Sequence, residues 1–183
     1  MKKSILNLTV VLKEKLIEFP AIVNSLENKD VSFLSKLFLW INKLEDILTT
    51  HNISDVSELA GLRSKILTPQ FSDNKRISIK KMQLKIASEC LYDIQHNVLK
   101  ILHPFELKIE ESRELIRQLL LILSQTQQVK YNSDQPFDNL INEVWQFISS
   151  NEQLKAGAIK LKTLLPINDI FMLIAEEINI EEF

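Results

Sequence analysis

The residues with the chemistry of a catalytic or metal site in this sequence are three histidines, one cysteine and the acids around them. Glu89, Asp93, His96, Lys100 and His103 follow one another at steps of four, three, four and three. On a helix that spacing lines one stripe. Asp93-x-x-His96 imitates half of the carboxylate-and-histidine motif of a di-metal bundle. Such a centre needs Glu-x-x-His on two helices and two more inward carboxylates. One imperfect copy does not meet that requirement. The stripe therefore reads as the solvated face of an amphipathic helix, and no metal ligand is assigned.

Nucleophilic chemistry finds no better footing. Cys90 is the only cysteine, which excludes an intrachain disulfide and a Cys-ligated zinc, and fits a reducing cytosol. Ile86 and Ile94 lie one helical turn to either side, and His96 is six positions on. Six residues turn a helix through about 600°, so Cys90 and His96 do not face each other. Cys90 is expected to be a small core residue. Helical ribonucleases carry an Arg four to six residues before a His, and His51, His96 and His103 all lack one. No Gly-flanked Ser suggests a strained nucleophile turn. The two glycines, Gly61 and Gly157, are too far apart for a phosphate-cradling loop. No catalytic residue and no cofactor are assigned, and the chain is expected not to be an enzyme.

Binding chemistry is better represented. Lys75, Arg76, Lys80, Lys81 and Lys85 place five cations within eleven residues. They would contact nucleic-acid phosphate or an acidic partner, although no aromatic residues are interleaved to stack bases. Leu119, Leu120, Leu121, Ile122 and Leu123 form an unbroken apolar run. A helix apolar all round is buried on several sides, within its own bundle or against a partner. Ala156-Gly157-Ala158 puts a glycine inside a helix, where it costs about 1 kcal/mol relative to Ala. Close approach of another helix explains that cost better than a turn does. Trp145, near Leu140, Phe147 and Ile148, adds a large apolar surface.

These groups must be positioned by helices. The chain has 183 residues, of which 52 are Ile or Leu and two are Gly. Tight hairpins need glycine for positive φ, so a sheet protein is excluded. Apolar stripes with steps of three and four predict helices over about 3–18, 31–50 and 55–68. Pro20 closes the first, Asp30 caps the second, and Asp55 with Glu58 has capping-box spacing for the third. Two long central helices follow, at about 78–102 and 107–127, broken or kinked at His103-Pro104. In the first of them Leu84, Ala87, Leu91, Ile94, Val98 and Ile101 make a packing seam. Three shorter helices then run at about 136–149, 151–165 and 168–178.

The expected fold is an all-α bundle of seven to eight helices. Residues 1–128 form its body, 129–135 a linker, and 136–183 a small C-terminal subdomain. Residues 1–92 carry a net charge of +4 and residues 93–183 a net charge of −6. That asymmetry suits orientation of a partner and not the strongly basic character of a nucleic-acid-binding domain. No uncharged apolar run reaches the roughly 18 residues of a transmembrane helix, so no membrane is expected among its partners. The functional expectation is a non-catalytic adaptor or scaffold subunit of a bacterial cytoplasmic assembly. It would contact another protein chain, a second copy or a different one, through 119–123, Trp145 and 156–158. The alternative is a nucleic-acid-binding accessory factor using the Lys75–Lys85 cluster.

Overall fold

The computed structural model describes residues 3–69, 78–131 and 134–183. The described residues form seven α-helices and a terminal 3-10 turn, with no strand. The helices are α1 (Ile5–Glu27), α2 (Phe33–Thr50), α3 (Val56–Leu67), α4 (Ile79–Thr126), α5 (Phe137–Ser150), α6 (Lys155–Leu164) and α7 (Ile167–Glu177). The all-α reading therefore holds.

Two breaks expected from proline do not occur. Pro20 lies inside α1, which continues to Glu27, and Pro104 lies inside α4, which is one helix of 48 residues where two long helices were expected. Proline removes one i→i−4 bond and crowds the carbonyl four residues back. At Pro104 the freed carbonyl belongs to Lys100, and both residues are exposed, so water can take the lost bond. Before it α4 buries Val98, Ile101 and Leu102, and after it Ser112 and Ile116.

Scarce glycine also shapes the helix ends. Lys29 (φ 56°), Asn52 (φ 56°) and Gln127 (φ 52°) take the left-handed conformation that usually falls to Gly. After α2 the Ile53 N–H donates to the Leu48 carbonyl at 3.0 Å, a Schellman closure around Asn52. After α1 the Asp30 N–H does the same with Ser25 at 2.9 Å. Asp30 was expected to cap α2, but Ser32 holds that position. The Asp30 side chain works two residues upstream, accepting from the Ser32 N–H and hydroxyl at 2.8 Å each and from Lys36 at 2.8 Å. These three donors hold its carboxyl well below the usual carboxylate range.

The chain divides into two compact units, Leu8–Pro104 and Phe105–Phe183, the second including the first residues through Asn7. In the Leu8–Pro104 unit, Leu37, Ile41, Leu44 and Leu48 of α2 are fully buried, as their spacing predicts, and Phe33 is buried beside them. So are Ala87, Ile94 and Val98 of the α4 seam. Trp40 packs on Phe19, with ring centroids 5.0 Å apart, and its indole N–H donates to the Lys15 carbonyl at 3.1 Å. In the other unit the core contains Ile116, Leu123, Val144, Ile148, Leu161, Ile170, Leu173 and Ile174. The segment read as a linker belongs to this unit: Val129 is buried in its core, and the Tyr131 N–H donates to the Phe183 carbonyl at 2.8 Å.

Candidate functional site

In the Leu8–Pro104 unit a groove of about 640 Å³ lies between α3 and α4, lined by Glu58, Gly61, Leu62, Lys65, Asp93, His96, Asn97 and Lys100. Three members of the expected solvated stripe therefore line a groove, while Glu89 and His103 are exposed elsewhere on α4. Glu58 organises it. Its Oε2 accepts from Asn97 Nδ2 at 2.6 Å, and Lys100 Nζ lies 3.0 and 3.2 Å from its two oxygens. The capping box expected of Asp55 and Glu58 is not made: Asp55 precedes α3 without a side-chain cap, and Glu58 is drawn to α4 instead. The Glu58–Lys100 pair is half exposed on both sides and adds little stability of its own.

Asn97 is the unusual member. Its side chain is 6% exposed and its Oδ1 has no hydrogen-bond partner. A flipped amide would set oxygen against the Glu58 carboxylate, so Nδ2 must face Glu58. A buried carbonyl without a donor costs about 1–3 kcal/mol. The sequence carried a signal for it, because Asn97 stands three residues after Ile94 and four before Ile101, on the apolar side of the seam. A polar residue at such a position demands a partner.

Gly61 adds to the same groove. A Cβ built there meets nothing within 4 Å. The glycine is thus not required by the packing of its own chain, although a helix-interior Gly costs about 1 kcal/mol. Cys90 is buried, as expected, and burial pushes its thiol up, with Lys65 opposing and Asp93 and Glu89 reinforcing the shift. Among the described residues no three His, Cys, Asp or Glu side chains are placed to hold a metal ion.

The expected interaction residues lie in the other unit and separate into two sets. Leu119, Leu120, Leu123 and Ala158 are buried in its core. Gly157 explains why: a Cβ on it would come within 2.9 Å of Leu119 Cδ2, so the close approach inferred for this glycine is made by its own chain. Trp145 is half-buried, edge-on to Phe171 at 6.1 Å, with Lys162 Nζ 5.3 Å from its ring. Leu121 and Ile122 point the other way and are 58% and 43% exposed. Ala156 is exposed as well, and Ile159, three residues on along the same face of α6, is 55% exposed.

Near the acidic C-terminal end Glu176 and Glu177 are tied to α4 by ion pairs. Glu177 accepts from Arg117 Nε at 2.6 Å and also from Arg113, which bonds Glu176 with its other nitrogen. The two guanidiniums hold the Glu177 carboxyl below its usual range, Arg117 foremost. Of the basic cluster, Lys80, Lys81 and Lys85 are exposed on the first turns of α4, and Lys75 and Arg76 lie outside the described residues. No acid stands in that first turn to offset them. Compared with protein-family models, curated proteins and solved structures, the chain finds no match.

Proposed function

We propose that the protein is a non-catalytic helical adaptor or scaffold subunit, bound to another protein chain in a bacterial cytoplasmic assembly. The observation that supports this reading is the exposed pair Leu121 and Ile122, at 58% and 43%. They adjoin residues already committed to a core, on the same helix. Burying both would remove a substantial apolar area from water, and each fully buried Leu or Ile is worth about 1.5–3 kcal/mol. Neither side chain carries a charge or a polar atom, so a partner's apolar helix face suffices.

The test is native mass measurement of the protein at its normal expression level, with and without the double variant Leu121→Asp, Ile122→Asp. The reading predicts a complex heavier than the 21.2 kDa chain, reduced to the single chain in a variant that keeps its helical circular dichroism. A wild-type chain that is monomeric in the cell extract would overturn it.

A second reading rests on Lys80, Lys81 and Lys85. Cations in the first turns of a helix oppose its dipole, and an anion would relieve that opposition. As a nucleic-acid accessory factor the protein would bind DNA or RNA in a salt-sensitive way, and Lys81→Glu with Lys85→Glu would weaken it. Binding indifferent to that charge reversal removes this reading.

A further inference from the structure

We propose that the groove between α3 and α4 binds a free amino acid whose long side chain ends in hydrogen-bond donors, of the arginine, lysine or glutamine kind. Its ammonium and carboxylate are held by Asp93 and Lys65, and its side-chain donors by Glu58 and Asn97.

The groups follow a fixed order along the groove. Glu58 on α3 is bonded to Asn97 and Lys100 on α4, which fixes one end. Toward the other end Gln83 Nε2 of α4 donates to the Leu67 carbonyl of α3 at 3.2 Å, so Lys65 lies on that side, and Asp93 stands one turn from Asn97 in the same direction. The two helices therefore run antiparallel across the groove. From Glu58 to Lys65 is seven residues, or about 10 Å of helix rise. That span suits an extended side chain of four or five atoms between two polar ends.

Each end has the charges for one part of such a ligand. Among the described residues Lys65 and Asp93 form no ion pair with each other or with a third group. A cation and an anion beyond the Glu58–Asn97 contact, one from each helix, match the carboxylate and ammonium of an amino acid. The middle of the groove is Gly61 and Leu62, where open space lies over the α3 backbone and the methylene groups of a side chain can rest. At the far end Asn97 Oδ1 is buried without a donor beside a carboxylate that accepts from two. A guanidinium, ammonium or amide entering beside Glu58 supplies hydrogens to both. A volume of about 640 Å³ also accommodates a ligand of this size.

This site lies in a different unit from Leu121 and Ile122, so it stands or falls independently of the adaptor reading. The test is an NMR titration of backbone amides in the whole chain with arginine and glutamine. Norleucine, acetate and methylammonium serve as controls that lack the donor end or one head charge. The proposal expects saturable shifts confined to residues 58–65 and 90–100 with arginine or glutamine and not with the controls. Lys65→Gln and Asp93→Asn, both on exposed side chains, should each weaken binding about tenfold, the loss of one charge-assisted contact. Gly61→Leu should fill the groove and abolish binding while raising the melting temperature. No localised shift at millimolar ligand, equal shifts with the controls, or undiminished binding by Gly61→Leu would each overturn it.

Discussion

The Ile5 backbone N–H donates to the Asp169 carboxylate, at 2.6 Å from Oδ2, across 164 residues of sequence. The Leu6 N–H donates to the same oxygen at 3.1 Å, and Ser4 completes the cap of α1 by accepting from the Asn7 N–H at 3.0 Å. Asp169 is itself in the first turn of α7 and is fully buried. One carboxylate therefore sits at the positive ends of two helices, which is what makes its burial tolerable without a cation in the same turn.

Asp169→Ala should destabilise the protein by about 2–4 kcal/mol, because it strands two half-buried donors and removes a charge from two helix dipoles. Asp169→Asn keeps an acceptor oxygen and should cost about half as much. Urea unfolding measures both. Hydrogen exchange should accelerate at Ile5 and Leu6 before it does so in α2, and unchanged exchange there would contradict the assignment.

The two glycines should respond in opposite directions. Gly61→Ala enters open space and should stabilise by about 0.5–1 kcal/mol through helix propensity alone. Gly157→Val must displace Leu119 from a packed core and should destabilise by about 1–3 kcal/mol. Paired thermal melts decide the matter, and the same sign for both would refute this account of the packing.

Pro104→Ala should stabilise α4 by about 1–3 kcal/mol, since it restores a hydrogen bond and removes a clash in a helix that already continues through the site. Helical circular dichroism should stay the same. A loss of stability would mean that the proline sets a geometry on which the fold depends.

Acid should unfold the protein partly through Asp30 and Glu177, whose carboxyls are both held below their ordinary values in the folded state. A depressed folded pKa stabilises above the unfolded value and is lost as pH falls through the folded one. Stability is thus expected to decline from about pH 5 downward. Asp30→Asn should lower stability at neutral pH and flatten this decline. Denaturant titrations at several pH values would show an unchanged slope if the Lys36 and Ser32 bonds contributed nothing.

The sequence by itself determined the helical class, the buried stripes of α2 and of the α4 seam, and the inert burial of Cys90. All of these follow from periodicity within a single helix, where neighbours three and four residues apart share a face whatever surrounds them. It also showed that Gly157 meets another helix, but not that Leu119 is the contact. Tertiary structure decided the rest. Pro104 lies within α4 at an exposed position, where water can satisfy the carbonyl it frees, and its local sequence does not encode that exposure. The run 119–123 divides into three core residues and two exposed ones because α5, α6 and α7 cover one side of it. Glu58 turns from its own helix end to Asn97, 39 residues away, and Asp169 joins its own helix end to that of α1 at Ile5. Charged side chains follow the nearest unsatisfied partner in space, and distance along the chain says little about who that is.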